Sequence, residues 1–134
     1  MSWKFLTAPE ADARLPLVRA VTADATALAA RLAAAQVAYR AEKSRPLPSQ
    51  IVLNDRKREI HAVRAALDAC AAELAAADAE PRDAGRGVVD FPSAIDGARV
   101  FLCWRLGEDR VDHFHAEGES HEQRKPLPEP VHAG

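Results

Sequence analysis

Two runs of apolar residues at helical spacing, separated by a short segment with two prolines, constrain this fold more than any other feature. Between Val18 and Tyr39, apolar residues recur at steps of three and four, which is typical of one face of a helix. A second run has the heptad-like spacing of a seam that faces another helix: Ile60, Val63, Leu67, Cys70 and Leu74. The prolines of segment 44–49 end the first helix. The pattern predicts an antiparallel helical hairpin over residues 8–80, with a coiled-coil-like seam.

The first helix has a clear start. Thr7-Ala8-Pro9-Glu10 is a capping box, with threonine as the N-cap, glutamate three residues later and proline in the first turn. Pro16 falls early in the helical pattern, so we expect it to kink the helix or to begin a second segment.

The spacing changes from helical to extended after the segment 81–87, which contains one proline and two glycines. Three strands are expected: 88–91, ended by Pro92, then 99–105, then 110–115. Asp96-Gly97 and Gly107-Glu108 are turn signals between them. The predicted fold class is therefore α+β, a long antiparallel α-helical hairpin followed by a small three-stranded antiparallel β-sheet at 87–116.

Length and composition agree with a single small domain. The chain has 134 residues, of which 48% are hydrophobic and only 5% aromatic, and alanine supplies much of the hydrophobic share. Alanine buries little area, so it favours close helix contacts over a thick core. We expect one domain over residues 1–125 and a proline-rich flexible tail over 126–134.

Charge and targeting signals exclude some partners. A net charge of -2 argues against nucleic acid as a partner, and the basic cluster Arg56-Lys57-Arg58 lacks interleaved aromatic residues for base stacking. The N-terminus has no apolar run of signal-peptide length, and no stretch is apolar enough to span a bilayer. Cys70 and Cys103 show no disulfide or zinc-knuckle spacing. We therefore expect a cytoplasmic protein with reduced thiols and no membrane partner.

Two segments of the chain resemble a known family. The first is Phe5-Leu6-Thr7, leading into Glu10-Ala11 and Leu15-Pro16. The second is Gly87-Val88-Val89-Asp90-Phe91-Pro92, followed by Asp96-Gly97 and by Leu102-Cys103-Trp104-Arg105-Leu106-Gly107-Glu108. With His115 and Arg124, they resemble the uncharacterised bacterial family domain of unknown function 2203, over nearly the whole chain. Phe114 and His113 stand where that family usually has tryptophan and another aromatic. The resemblance implies a shared fold and no known activity.

A polar cluster on the predicted sheet is the first candidate site. Its members lie on or beside adjacent strands and could converge at one end of the sheet: Asp90, Arg105, Glu108, His115 and Arg124. A carboxylate beside a histidine suits general acid–base chemistry, and two arginines can hold an anion. The alternative is an ion-pair network that fixes the strands and docks the C-terminal segment.

A metal site is the second candidate. His113 and His115 lie on one face of a strand, as a pair of ligands for a divalent metal such as zinc requires; His121, Cys103 or Asp90 could join them. A two-residue turn at Gly107-Glu108 would place Cys103 opposite Asp112. A three-residue turn would place Cys103 opposite His113, and only this register builds a site with sulfur and nitrogen ligands. Buried packing of Cys103, with no cofactor, is the competing interpretation.

The leading functional interpretation is a non-enzymatic interaction or structural module that acts through its hairpin. Apolar positions left uncovered on the helices, such as Leu17, Val37 and Val52, predict a homodimer with a four-helix arrangement. A small enzyme, or a ligand- or metal-binding protein with its site on the sheet, is the competing class.

Overall fold

The helical hairpin is confirmed by the computed structural model, which describes residues 3–128. The first helix, α1, spans Ala8–Lys43, and the second, α2, spans Gln50–Ala76. The capping box forms as predicted, since the Glu10 amide donates to Thr7 Oγ1 and the Thr7 amide donates to Glu10 Oε1. The helix α1 continues through Pro16 as one element, so no second segment begins there.

The connection between the helices is organised by a buried carboxylate. Glu42, in the last turn of α1, accepts hydrogen bonds from the Ser49 amide at 3.2 Å and from the Arg45 guanidinium at 3.2 Å. Ser49 is the N-cap of α2, and its hydroxyl accepts from the Val52 amide. Glu42 therefore ties the end of α1 to the start of α2.

The sheet has five strands, so the predicted number of three is wrong. The strands are β1 (Glu80–Asp83), β2 (Val88–Ile95), β3 (Ala98–Arg105), β4 (His113–Ala116) and β5 (Lys125–Pro126), antiparallel and in sequence order across the sheet. The two unpredicted strands, β1 and β5, are the edges. Each contains a proline, which lacks an amide donor and is therefore tolerated in a strand mainly at an edge.

The turns between the inner strands set the register. Asp96 and Gly97 both have positive φ, at 51° and 81°, which is the conformation of a two-residue type I′ hairpin turn. The β3–β4 connection is longer than predicted and covers residues 106–112. It nevertheless places Cys103 opposite His113, as the second of the two registers required. Strand β2 continues past Pro92, where the sequence predicted its end.

The hydrophobic core lies between one face of the sheet and the sheet-proximal part of the hairpin. The sheet contributes Val89, Phe91, Leu102 and Trp104, all of them buried. The helices contribute Ala11, Leu15, Val18, Val21 and Leu74. Leu127 packs against this cluster, and its amide donates to the Asp112 carbonyl.

The remaining predicted tail, 129–134, lies outside the described residues. Within residues 3–128, no helix is both long enough and apolar enough to cross a bilayer.

Asp78 links the end of α2 to the N-terminal segment. It has a positive φ of 61° just after the helix, where the Ala79 amide donates back to the Leu74 carbonyl. Its carboxylate accepts from Lys4 Nζ at 2.7 Å and from the Arg14 guanidinium at 2.9 Å. The hydrogen bond from Lys4 is the largest cause that lowers the pKa of Asp78.

Asp78→Asn is expected to lower the free energy of unfolding by about 1 kcal/mol at pH 7, because asparagine tolerates positive φ but does not carry the charge. A lowered pKa stabilises the fold above the ordinary aspartate pKa, and this contribution is lost as pH falls through the lowered value. The difference from wild type should therefore shrink in acid, as measured by urea unfolding at several pH values. Asp96→Asn is the matched control, since Asp96 also has positive φ but has no ion-pair partner within residues 3–128. An equal loss in both variants, or a pH-independent one, would contradict the expectation.

Candidate functional site

The polar candidates lie on the sheet face that points away from the helices. Asp90 pairs with Cys103, and Cys103 pairs with His113, so these three residues form one row across β2, β3 and β4. Side chains alternate between faces along each strand, so Val89 and Phe91 point to the helices while Asp90 points outward. His115 lies two residues beyond His113 and therefore on the same face.

Asp90 and His115 form the buried centre of this face. Asp90 and Cys103 are 0% exposed and His115 is 1% exposed. His115 Nε2 lies 2.8 Å from Asp90 Oδ2. The other ring nitrogen, Nδ1, lies 3.0 Å from the Ala116 carbonyl oxygen, which can only accept, so Nδ1 donates this bond. The ring is thus held at both nitrogens. Asp90 Oδ1 is buried and has no hydrogen-bond partner within the described residues.

Arg82 is a member of this cluster that the sequence pattern missed. It lies in an irregular stretch of β1, where the register with β2 shifts between Pro81 and Asp83. Its Nε donates to Asp90 Oδ2 at 2.8 Å, and its guanidinium lies 4.9 Å from the centre of the Phe101 ring. From sequence, the segment 81–87 predicted only the end of α2. Its proline and glycines are not typical of a strand, so the short edge strand β1 was not predicted. Recognition of that strand would have placed Arg82 beside Asp90.

Cys103 is buried beside Asp90 and Arg124. Burial, helped by the nearby Asp90 carboxylate, raises the pKa of the Cys103 thiol to about 12. The Arg124 guanidinium acts in the opposite direction. At neutral pH the thiol is therefore protonated and, in this state, is a poor nucleophile.

Glu108 and Arg124 form a second polar pair beyond the C-terminal end of β3; we call it the second centre. Arg124 donates to both carboxylate oxygens of Glu108, at 3.0 and 2.7 Å, and the Arg105 amide donates to Glu108 Oε1 at 2.7 Å. These bonds lower the pKa of Glu108 against the effect of burial, which raises it. The guanidinium of Arg105 does not join the cluster, and its buried Nε has no hydrogen-bond partner within residues 3–128.

The three histidines of the predicted metal site do not converge. His113 Nδ1 lies 2.7 Å from Asp112 and 3.9 Å from Glu108, toward the second centre. His121 Nε2 lies 3.7 Å from Asp83, near the other edge of the sheet. His115 alone contacts Asp90. The ligand atoms of Asp90, Cys103 and His115 lie within 4.8 Å of one another, and those of Glu108, Asp112 and His113 form a separate group.

The segment 117–124 explains why the outer face is buried. It leaves β4 near one edge of the sheet, yet Glu122 contacts Arg86 and His121 contacts Asp83, beside β1. Because the strands follow one another in sequence order, the segment must cross the outer face to reach these partners. Arg124 then brings the chain back to Glu108. We call residues 117–124 the strap.

Comparison with known proteins identifies the family. The model of the family "Uncharacterized conserved protein (DUF2203)" matches residues 4–127, nearly the whole chain. The chain belongs to this family. No curated protein and no solved structure matches the DUF2203 chain. The resemblance inferred from the β2 and β3 segments and from His115 is thereby confirmed, and the family description states no activity.

The geometry of the DUF2203 sheet limits its chemistry. Arg82 and His115 both contact Asp90, and within residues 3–128 the Asp90 and His115 side chains are buried from solvent. A groove of about 520 Å³ lies between α2 and the β1–β2 edge, where Trp3, Ala75, Pro81 and Phe101 line it. It contains none of the cluster. In this conformation the cluster is suited to holding strands and strap together.

Proposed function

We propose that this chain is a cytoplasmic, non-enzymatic interaction module, and that its first partner is a second copy of itself bound through the helical hairpin. The observation that carries the proposal is the exposure of large apolar side chains at and near the tip of the hairpin. Leu47 is 89% exposed, Ile51 75% and Val37 58%.

The order of the tip supports this proposal. Glu42 and the Ser49 cap fix the connection with hydrogen bonds, so Leu47 and Ile51 are presented on a defined backbone. Exposed apolar side chains on an ordered surface are typical of a binding site, because their burial against a partner is favourable. An association surface at the tip would also be distant from the sheet, since α1 has 36 residues and is about 54 Å long.

The flank of the hairpin offers a surface for helix packing. A shallow groove of about 430 Å³ runs between the two helices, and Ala27, Leu28, Ala66 and Ala69 are among the residues that line it. Small side chains let another helix approach closely. Two hairpins packed along these grooves would give a four-helix arrangement, in which each copy covers the other's apolar positions. Of the three uncovered positions predicted from sequence, Leu17 and Val37 are exposed and Val52 is half-buried.

The buried polar cluster fits the same proposal. Because Arg82 and His115 both contact Asp90, and Asp90 and His115 are buried, the role of the cluster would be to fix β1, β2 and β4 and to hold the strap. The sheet would then serve as a scaffold, and the hairpin would bind the partner.

The wild-type chain is expected to be a dimer at micromolar concentration, with a mass by light scattering twice that of the 14.5 kDa chain. Ile51→Glu and Val37→Glu should each weaken the dimer at least about tenfold, because each puts a charge into an apolar contact. Both positions are exposed in the single chain, so the fold should not change, and the Tm should fall only by the amount that the dimer contributes.

Phe5→Glu is the control for this test. Phe5 is 62% exposed and precedes α1, at the end of the hairpin far from the tip. This variant should remain a dimer. A monomeric wild-type chain would contradict self-association, and loss of the dimer in Phe5→Glu alone would move the interface to the sheet end.

A further inference from the structure

One feature of the polar cluster is not explained by a purely structural role. Asp90 is fully buried, yet its Oδ1 has no hydrogen-bond partner within residues 3–128, while Oδ2 accepts from both Arg82 and His115. An unpaired buried carboxylate oxygen is costly, and such groups in folded proteins usually face a partner or an ion. Asp90 lies in a group with Cys103 and His115, whose ligand atoms are all within 4.8 Å of one another.

The donor set has the chemistry of a zinc site. Carboxylate oxygen, thiolate sulfur and imidazole nitrogen are the three ligand types that Zn²⁺ takes in proteins. Hard cations such as Mg²⁺ and Ca²⁺ prefer oxygen ligands alone, which this set does not provide. Three protein ligands leave one of the four zinc positions to a small molecule such as water.

The surrounding contacts already orient the three residues as metal ligands are oriented. A histidine that binds zinc through one nitrogen usually donates from the other to a carbonyl or carboxylate, and His115 Nδ1 donates to the Ala116 carbonyl. A ligating carboxylate is usually hydrogen-bonded through its second oxygen, as Asp90 Oδ2 is to Arg82. The Arg124 guanidinium lies beside Cys103, but burial outweighs its effect and raises the pKa of the thiol to about 12.

The charges of the site would balance on zinc binding. Two positive charges of Zn²⁺ offset the carboxylate of Asp90 and the thiolate of Cys103. Two protons leave to solvent, one from the thiol and one from His115 Nε2, which donates to Asp90 Oδ2 in the metal-free protein. The protonated thiol of the metal-free protein does not oppose this, because a coordinating thiol is deprotonated by the ion. Nε2 of His115 would exchange its contact with Asp90 Oδ2 for the ion.

We propose that Asp90, Cys103 and His115 form a zinc-binding site beneath the strap. The site differs from the one predicted from sequence, because His113 turns to Asp112 and Asp90 replaces it. Entry of the ion requires the strap to lift, so binding should be slow and should tighten the attachment of residues 117–124. We propose no metal site at the group of Glu108, Asp112 and His113, because Glu108 already accepts hydrogen bonds from Arg124 and from the Arg105 amide.

The test begins with the full chain stripped of metal by a chelator and then titrated with Zn²⁺ and with Co²⁺. One zinc per chain is expected by plasma mass spectrometry, with a higher Tm in the loaded protein. Co²⁺ should give the near-ultraviolet charge-transfer band of a thiolate ligand. The variant Cys70→Ser keeps Cys103 as its single thiol and leaves the buried site unchanged. If this variant retains the band, the sulfur ligand is Cys103.

Variants of the site and its neighbours complete the test. Cys103→Ser should lose the band, and His115→Gln should weaken zinc binding by more than about 100-fold. His113→Gln is the matched control, because it removes the other histidine of the same strand, and it should bind zinc as wild type does. Absence of stoichiometric zinc or of the cobalt band in Cys70→Ser would overturn the proposal, even if a variant of the buried residues fails to fold. A loss in His113→Gln equal to that in His115→Gln would also overturn it, since the ion would then lie among Glu108, Asp112 and His113.

Discussion

Asp90→Ala is expected to lower the free energy of unfolding of the metal-free protein by about 3–5 kcal/mol. The substitution removes the acceptor for His115 Nε2, which is buried and cannot turn to water, and the acceptor for Arg82 Nε. Removal of one partner from a buried pair leaves the other unsatisfied, which costs more than the pair contributes when intact. For a chain of this length, the Tm should fall by about 10 °C or more.

Urea unfolding in the presence of a chelator measures this loss, and a second substitution identifies its cause. In the double variant Asp90→Ala, His115→Leu, neither polar group remains, so its loss should be smaller than the sum of the two single losses. His113→Ala is the control, because this histidine is on the same strand and only half-buried, and it should lose less than about 1 kcal/mol. A loss below about 1 kcal/mol in Asp90→Ala would mean that the buried pair does not hold the sheet together.

Gly87→Ala is expected to lower the free energy of unfolding by about 2–4 kcal/mol. Gly87 has a φ of 68°, where alanine is strained by roughly 1 kcal/mol. In addition, a Cβ at this position would lie 2.7 Å from Leu106 Cβ, and Leu106 is held there because its amide donates to the Gly87 carbonyl. Overpacking of this kind typically costs a further 1–3 kcal/mol or so. The two effects act together directly before β2, three residues before Asp90.

Gly85→Ala provides the comparison, because Gly85 lies two residues earlier and does not have a positive φ. A Cβ there would meet only Asp83 Oδ1, at an ordinary 3.6 Å. Its stability should change by less than about 0.5 kcal/mol in urea unfolding. Equal losses in the two variants would show that neither the backbone conformation nor the contact with Leu106 matters.

The main elements of the fold could be predicted because their signals are local. The capping box at Thr7, the two-proline connection and the Asp96-Gly97 turn each depend on a few neighbouring residues, and all three form as expected. The edge strands could not be predicted in the same way. The strands β1 and β5 are short, contain proline and are held by pairing with β2 and β4, so their own residues carry almost no strand pattern.

The candidate site was predicted in its residue types but not in its pairing. The predicted strands placed Asp90 and His115 in one sheet, and the structure brings them into contact. Arg82 was missed together with β1. The register of Cys103 was left open, because it depends on the 106–112 connection. This connection is fixed partly by a long-range contact, in which the Val111 amide donates to Asp12 on α1. Contacts of this kind are not visible in local sequence.

The order of the strands has a consequence for how the chain folds. Each strand pairs with the one before it, and α2 packs on α1, so most contacts form between segments that are close in sequence. Low contact order of this kind favours rapid folding. The packing of α1 on the sheet and the N-terminal segment are exceptions. The Val111 amide donates to Asp12, the Leu6 amide to the Pro92 carbonyl and the Trp3 indole to the Ser93 carbonyl, each across 86 residues or more. During synthesis, therefore, the hairpin can form while the sheet is still incomplete, and we expect Trp3 and Leu6 to find their partners only after β2 has been made.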